Sequence, residues 1–268
     1  TAPDGYVVGE ESALVHWLNG GDAKPTFGPP RPYEKGVRGR STLVNNVETL
    51  AHLALVARFG AGWFRALGTD RDPGTMLVTV SGDVARGGVY EVPFGCSLRE
   101  AVNAAGPTQS PQALLIGGYA GAWIASSRAT KLTLDSGSLR QANAALGCGV
   151  IAVLGSESCG LTETASIVDW MASESAGQCG PCVHGLPAIA GALHGLVAGD
   201  RRGRAQKQLH RWTDMVAGRG ACHHPDGVVR LVKSALNVFQ AEIDQHRRLG
   251  PCRARPSLPT PTHLRVWR

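Results

Sequence analysis

Three cysteines in the second half of the chain have the residue type and spacing of a metal centre. Cys179 and Cys182 form a Cys-Gly-Pro-Cys pair, and Cys222 follows forty residues later. Such a pair places two thiolates on one turn, and a distant third thiolate closes the site from another part of the fold. A helical pattern begins after Cys182, and helix N-termini favour negative charge. The set therefore predicts a site for an anionic iron–sulfur cluster.

The same cysteines have three other interpretations. With either His223 or His224 they make the ligand set of a Cys₃His zinc site. Cys-Gly-Pro-Cys is also the active-site tetrapeptide of thioredoxins, but that chemistry needs a buried strand directly before the first cysteine. Residues 169–178 carry no strand pattern, which argues against a redox dithiol. The third interpretation is three buried thiols with no metal.

This region resembles the cluster-binding end of the flavin subunit of respiratory complex I and of the related NADH-dependent hydrogenase and formate dehydrogenase subunits. That family reads Ser-Cys-Gly-x-Cys-x-x-Cys, followed by one late cysteine. The first family cysteine falls on Ala176 here, and the others fall on Cys179, Cys182 and Cys222. The resemblance implies a 4Fe-4S cluster whose open position is filled by water or by an imidazole, or else a 3Fe-4S cluster. The candidate imidazoles are those of His184, His223 and His224.

Two motifs near the start of the chain carry the same resemblance. Gly-Glu-Glu-Ser-Ala-Leu begins at Gly9, and Val-Asn-Asn-Val-Glu-Thr begins at Val44. Alone, each motif is equally typical of a helix N-terminus. As a pair they are similar to the family's FMN-binding motifs. The glycine-rich phosphate loop of the family has no counterpart, so we expect only half of a flavin pocket. The resemblance implies that this half is lined by Tyr6, Gly9, Glu10, Glu11, Val44, Asn45 and Asn46.

The function implied by the resemblance is electron transfer from NADH to FMN and on to an iron–sulfur cluster. Its partners would be ferredoxin-like or other electron-transfer subunits of a hetero-oligomer. The resemblance covers residues 1 to about 250 and begins within the flavin domain, so we expect the C-terminal part of a longer family protein. The alternatives are a catalytically silent partner-docking module of the same fold and a zinc or dithiol protein.

The charge balance favours a protein partner over nucleic acid. Lys and Arg exceed Asp and Glu by 27 to 21, but the basic residues are spread along the chain. No basic stripe with interspersed aromatic residues, as expected for a nucleic-acid site, is present. A basic face suits an acidic electron-transfer protein instead.

The cysteine content predicts a reducing, cytoplasmic compartment. Seven scattered cysteines do not fit a secreted disulfide framework. The sequence has no signal-peptide pattern and no apolar run long enough to cross a bilayer, so membrane association would come through partners. Four cysteines lack an obvious partner in the sequence and are interpreted as packing thiols: Cys96, Cys148, Cys159 and Cys252.

The spacing of apolar residues along the chain predicts an α/β region followed by helices. These elements must position the candidate site residues. Residues 1–73 would be the C-terminal part of an FMN-binding domain, with a helix between Thr42 and Gly60. Residues 74–134 show strand, hairpin, strand, helix and strand patterns, which predict a small β-grasp domain of the soluble-ligand-binding type.

The remaining chain is assigned to a linker, a helical bundle and a tail. Residues 135–159 are expected to be a linker. Residues 160–250 contain four apolar stripes at helical spacing, which predict an iron–sulfur-binding four-helix bundle. Residues 251–268, with four prolines, are expected to be a flexible tail.

Overall fold

A computed structural model of the chain describes residues 1–259 and shows a mixed α/β fold with one five-stranded sheet. The strands are β1 (Thr75–Gly82), β2 (Gly88–Pro93), β3 (Pro111–Ile116), β4 (Ala122–Ala125) and β5 (Val150–Gly155). Their spatial order is β2-β1-β5-β3-β4. β1 and β5 run parallel, and every other neighbouring pair is antiparallel.

Helices precede the sheet, connect its strands and follow it. Three come before β1, namely α1 (Glu11–Leu18), α2 (Val47–Phe59) and α3 (Ala61–Phe64). Three lie between strands, namely α4 (Leu98–Ala105), α5 (Ser126–Ala129) and α6 (Ser136–Gln141). Five follow the sheet, namely α7 (Gly160–Ser173), α8 (Leu186–Val197), α9 (Arg204–Val216), α10 (His224–Val238) and α11 (Gln240–Leu249).

The segment expected to be a linker contributes the middle of the sheet. Residues 135–159 contain α6 and β5, and β5 pairs with β1 on one side and with β3 on the other. β5 is buried on both faces and therefore reads as a continuous apolar run without the alternation of a half-exposed strand. The expectation of a linker at 135–159 is therefore wrong.

The two faces of the sheet belong to two hydrophobic cores, because successive side chains on a strand point to opposite sides. Ile151 and Val153 of β5 pack with residues of α4 and α6 on one face. Ala152 and Leu154 pack into the helical region on the other face. Trp123 of β4 anchors this second face, since its indole N–H donates to Thr164 Oγ1 at 3.0 Å. The sheet thus fixes the position of α7, which leads to the cysteines.

The four predicted helical stripes correspond to α7, α8, α9 and α10, whose apolar residues share one core. α7 packs on α8, α8 on α9, and α10 on both α7 and α9. Gly160 begins α7 where a side chain would not fit, since an added Cβ would lie 2.2 Å from the ring of Phe239. A fifth helix, α11, was not predicted, because only Ile243 and His246 of this polar segment are buried.

The described part of the expected flexible tail is packed against the core. Leu258 is buried, and the backbone N–H groups of Ser257 and Leu258 donate to the carboxylate of Glu163. Burial raises the pKa of this carboxylate above its usual value, while the hydrogen bonds from Ser257 and Leu258 oppose the shift. The tail expectation is therefore wrong for residues 251–259, and its remainder, 260–268, lies outside the described residues.

The helix expected between Thr42 and Gly60 is α2, and its apolar side chains are not buried. Val47, Leu50 and Leu53 of α2 are all exposed, as are Phe59 and Trp63 nearby. α2 is nevertheless held to the sheet, because Glu48 Oε1 accepts the N–H of Leu77 at 2.6 Å. The helix therefore presents an apolar surface that the described residues do not cover.

No helix within residues 1–259 combines the length and the apolar character that crossing a membrane would require.

The central position of β5 predicts the effect of truncating its core side chains. Ile151→Ala should lower the free energy of unfolding by about 2–5 kcal/mol, because it opens a cavity in a buried strand. Leu77→Ala, on the exposed side of β1, should cost less than about 1 kcal/mol. Urea unfolding followed by far-ultraviolet circular dichroism gives both values. Equal, small losses would mean that 150–155 is not a sheet strand.

Candidate functional site

The Cys-x-x-Cys pair lies in the connection between α7 and α8. After α7 ends at Ser173, the chain runs through an irregular stretch to Cys179 and then forms a short π-helical turn, Pro181–Gly185, that leads into α8. Cys182 is buried and Cys179 is half-buried. A side chain at Gly177 or Gly180 would meet open space, so there is room beside the two thiols.

Cys222 reaches the same end of the helical region from the connection between α9 and α10. It directly precedes His223 and the start of α10. The backbone is tightly folded here, since a Cβ on Gly220 would lie 2.6 Å from the carbonyl oxygen of Cys222. Two separate helix–helix connections therefore supply the three thiols.

The thiols influence one another electrostatically, which shows that they lie close together. Partial burial raises the pKa of Cys179, but N–H donors of Ala221 and Cys182 and the Cys182 thiol outweigh it, so the pKa is lowered. Burial and the neighbouring Cys179 raise the pKa of Cys182 to about 12. Burial also raises the pKa of Cys222, with help from Glu10. Of the three thiols, only Cys179 thus has a lowered pKa, while the pKa values of Cys182 and Cys222 are raised.

A buried histidine fastens the Cys222 connection to α7. His224 Nε2 donates to the carbonyl oxygen of Met171 at 2.8 Å, and burial lowers the pKa of the ring below 6.5. Its buried Nδ1 has no hydrogen-bond partner among the described residues. The other two candidate imidazoles, of His223 and His184, are exposed. Of the three, only His224 is built into this end of the fold.

The surroundings of the three cysteines can be compared with what a redox dithiol and a zinc site require. The element before Cys179 is the helix α7, which lacks the strand context that thioredoxin chemistry needs. Within residues 1–259, the three cysteines and a neighbouring histidine are not among the groups whose ligand atoms all lie within 4.8 Å of one another. At least one pair of these ligand atoms is therefore more than 4.8 Å apart.

The first predicted flavin motif lies against the cysteine site. The N–H of Tyr6 donates to Glu174 Oε2 at 2.8 Å, and its ring lies 5.4 Å from those of Trp170 and His224. Gly9 ends a short 3₁₀ turn. Glu10 caps α1 by accepting the N–H groups of Ser12 and Ala13, and Glu11 is exposed on the first turn.

The second predicted flavin motif lies at the start of α2. Asn46 caps this helix by accepting the N–H of Glu48 at 2.8 Å, Asn45 is exposed beside it, and Val44 is half-buried. Asn46 and Cys148 both line a cavity of about 410 Å³ next to β1. Burial raises the pKa of Tyr6, and Cys148 adds to this shift, so Tyr6 lies within reach of the same thiol. Cys148 therefore shares a cavity with Asn46 and also influences the pKa of Tyr6.

Several residues of this site were not identified from the sequence. Trp170 and Glu174 hold the first motif in place, and Cys148 influences the pKa of Tyr6. Each acts on a partner far away in the chain, so no local pattern marks it. Cys159 and Cys252 were expected to lack partners. Instead, their sulfur atoms lie close to each other and to a ring nitrogen of His246.

The amino-acid sequence of the chain is similar to one protein family and to the F subunits of NADH-quinone oxidoreductases. Residues 162–246 match the family described as the NADH-ubiquinone oxidoreductase-F iron-sulfur binding region. The second F subunit of the NADH-quinone oxidoreductase of Rhizobium meliloti is 34% identical over 245 residues, which are 90% of this chain and 58% of that protein. The corresponding F subunit of Streptomyces coelicolor is 28% identical, over 90% of this chain and 54% of its own length.

A solved structure shares the fold. The crystal structure of NAD⁺-reducing [NiFe]-hydrogenase in the H₂-reduced state superposes with a TM-score of 0.84 at 30% identity. The match covers 94% of this chain and 43% of the hydrogenase chain. This chain spans little more than half the length of the curated relatives it matches.

The buried imidazole predicts a pH dependence of stability in the metal-free protein. Because the pKa of His224 is lower in the folded state than its ordinary 6.5, the unfolded chain binds the proton more strongly. Stability should be full above about pH 6.5 and fall as the pH drops towards the lowered folded pKa. Urea unfolding of His224→Gln should show a weaker decline over this range. His223→Gln is the matched control, and an unchanged pH profile in His224→Gln would contradict the assignment.

Proposed function

We propose that this chain carries electrons through an iron–sulfur cluster held by Cys179, Cys182 and Cys222. The premise is that the chain is a relative of the C-terminal part of a group of flavin subunits. That group includes the F subunit of NADH-quinone oxidoreductase. The observation that carries this proposal is the meeting of the three thiols from two helix–helix connections at one end of α7, α8 and α10. These cysteines also lie inside residues 162–246, which match the iron–sulfur binding region.

The residues present fit a cluster. Backbone N–H groups of Ala221 and Cys182 lower the pKa of Cys179, and that of His224 opposes the rise in the pKa of Cys222, so N–H groups lie beside two of the three sulfurs. Hydrogen bonds to cluster sulfurs are one means by which a protein sets the reduction potential. The open space at Gly177 and Gly180 leaves room for a bulky anion. The protein therefore supplies ligands, N–H donors and space in one place.

The fourth ligand position is the distinguishing feature of this site. Ala176, which takes the place of the first family cysteine, provides no donor. Among the nearby histidines, His224 has a buried and unpartnered Nδ1, which favours it over the exposed His184 and His223 as a partner for the open corner. The cluster is then either a 4Fe-4S form with a non-cysteine ligand or a 3Fe-4S form.

The flavin side of the proposal rests on the two motifs that begin at Gly9 and Val44. When bound, FMN would supply the hydride and single-electron chemistry that links NADH to the cluster. In this chain Tyr6, Gly9, Glu10 and Glu11 would border the cofactor on the cluster side. Val44, Asn45 and Asn46 would border it on the α2 side, where the exposed amides of Asn45 and Asn46 offer hydrogen bonds.

We propose the same three domains that the family resemblance implies, but with a β-grasp domain that ends later in the chain. Residues 1–73 would be the C-terminal part of the FMN-binding domain. The sheet order β2-β1-β5-β3-β4, with β1 parallel to β5, supports a β-grasp domain that runs from β1 through β5 and thus beyond residue 134. Residues 160–250 would be the iron–sulfur-binding helical domain, in which α11 is added to the four predicted helices.

The proposed setting is a hetero-oligomer, as in the multi-subunit assemblies to which the relatives belong. Electron-transfer subunits such as a ferredoxin-like protein would dock near the cluster. The exposed apolar side of α2, with Val47, Leu50 and Leu53, would be covered by a partner or by the remainder of a flavin domain. This surface is also the observation that favours the second candidate function, a partner-docking module without catalysis.

Restoring the missing ligand tests the cluster directly. Anaerobic reconstitution of the wild-type chain with iron and sulfide should give brown absorption and a cluster that oxygen readily converts to a three-iron form with an oxidised-state EPR signal. Ala176→Cys should suppress this signal and give a stable four-iron cluster, because it supplies the fourth thiolate.

Two controls accompany that experiment. Ser175→Cys adds a thiol one residue away and should leave the conversion unchanged. Cys222→Ser should reduce cluster yield severely. If the wild-type chain takes up no cluster and Cys222→Ser makes no difference, electron transfer through these cysteines is excluded and the docking function is favoured.

The incomplete flavin pocket gives a separate prediction. The chain of 268 residues should not retain FMN through gel filtration, because it lacks the glycine-rich N–H cradle for the phosphate. An extended version carrying a family glycine-rich segment before Thr1 should retain it, and Asn46→Ala in that version should weaken binding. Stoichiometric flavin on the 268-residue chain would contradict the prediction.

A further inference from the structure

A second group of metal-binding side chains lies outside the proposed cluster site. The ligand atoms of Cys159, His246 and Cys252 all lie within 4.8 Å of one another, a proximity found for no other such trio within residues 1–259. Cys159 and His246 are buried, and Cys252 is exposed. Three potential ligands of the types that zinc prefers therefore meet just below the protein surface. Two of them are buried, and the third is exposed.

The three residues come from separate parts of the chain. Cys159 directly precedes α7, His246 lies on the last turn of α11, and Cys252 follows α11 just after Pro251. Cys159 Sγ lies 3.7 Å from His246 Nε2. Cys252 Sγ lies 3.9 Å from the Thr162 hydroxyl on the first turn of α7. The group thus joins the start of one helix to the end of another and to the terminal segment.

The imidazole has the orientation that a metal ligand needs. His246 Nδ1 lies 3.0 Å from the carbonyl oxygen of Val197 and must carry the proton there, because a carbonyl only accepts. This leaves the lone pair on Nε2, which faces Cys159. Metal-bound histidines are typically fixed in this way, with the second ring nitrogen donating to a backbone carbonyl or carboxylate.

A carboxylate lies next to Cys159 in this group. Glu242 lies one turn before His246 on α11, and its Oε2 is 3.2 Å from Cys159 Sγ. Oε2 also accepts the N–H of Leu161 at 3.1 Å, and Oε1 accepts from Gln112, so the carboxylate is held in position. In a tetrahedral zinc site, neighbouring sulfur, nitrogen and oxygen ligands are separated by about 3.5–3.8 Å, given the usual zinc–ligand distances. The 3.7 Å between Cys159 Sγ and His246 Nε2 lies in this range, and all three ligand atoms of Cys159, His246 and Cys252 lie within 4.8 Å of one another.

We propose that Cys159, His246 and Cys252 form a Zn²⁺ site, with its fourth position left for water, that fastens the terminal segment to α7 and α11. Two thiolates and an imidazole favour zinc over hard cations such as Mg²⁺ or Ca²⁺, which prefer oxygen ligands. Binding releases one proton from each cysteine. The two thiolate charges then balance the charge of the ion, while the Glu242 carboxylate beside Cys159 stays hydrogen-bonded to Leu161 and Gln112.

The site has a structural consequence that distinguishes it from the cluster. The segment after α11 otherwise reaches the core through Leu258 and through the bonds of Ser257 and Leu258 to Glu163. Zinc would add a second attachment at Cys252. Because it links elements that are far apart in the chain, it should raise the free energy of unfolding as a ligand that binds only the folded state. The proposal does not depend on whether the cluster or flavin binds.

The test measures zinc and cobalt binding to the full chain under reducing, anaerobic conditions. Cys222→Ser is used as the background, so that the binding of divalent ions at Cys179 and Cys182 is weakened. In this background we compare Cys252→Ser and His246→Gln, with Cys148→Ser, another exposed cysteine, as the matched control. Atomic emission gives zinc per chain after dialysis, and Co²⁺ absorption reports thiolate ligation and tetrahedral geometry.

One tightly bound equivalent should be present in the background and in Cys148→Ser, with sulfur-to-cobalt charge-transfer bands. Cys252→Ser and His246→Gln should each lower the affinity at least tenfold and abolish the rise in thermal midpoint on zinc addition. Since Cys252 is exposed, its serine variant should fold normally, as circular dichroism would verify. Equal zinc binding by Cys252→Ser would overturn the proposal. So would a reduced background protein that binds no zinc, or peptide mapping that finds Cys159 and Cys252 joined as a disulfide in the protein as purified under reducing conditions.

Discussion

The hydrogen bond from His224 to the carbonyl oxygen of Met171 is the contact on which the candidate site depends. It joins the first residue of α10, two positions after Cys222, to the last turns of α7, from which the chain continues to Cys179 and Cys182. Because the imidazole is buried and its pKa is lowered, it acts as a neutral donor in the folded protein. This attachment therefore ties the connection that carries Cys222 directly to the helix that leads to Cys179 and Cys182.

Other parts of the fold converge on the same end. Tyr6 packs against His224 and Trp170, which brings the first flavin motif beside the cysteines. β5 leads directly to Cys159 and α7, so the sheet sets where α7 begins and, through it, where the cysteines lie. Tyr6, His224 and Trp170 on one side and β5 on the other thus both bear on where the cysteines lie.

The sequence predicted the parts of this arrangement that local patterns encode. The stripes of α7 to α10 were identified because each helix has one face in a common core. The three cysteines were singled out by their spacing, and their role as cluster ligands stays a prediction. β5 was missed because a strand buried on both faces shows no alternation, and α11 because its buried positions are few. The group of Cys159, His246 and Cys252 could not be foreseen, since its members meet only through tertiary packing. The helix α2 was predicted, but the exposure of its apolar side chains depends on what surrounds it.

X-ray absorption at the iron edge of the anaerobically reconstituted chain tests the central claim most directly, because it reports the atoms around the metal. The account predicts iron with sulfur neighbours at a single short distance together with a second shell of iron, and the loss of that second shell in Cys222→Ser. Iron surrounded by oxygen and nitrogen without an iron–iron shell, or a spectrum that Cys222→Ser leaves unchanged, would contradict it.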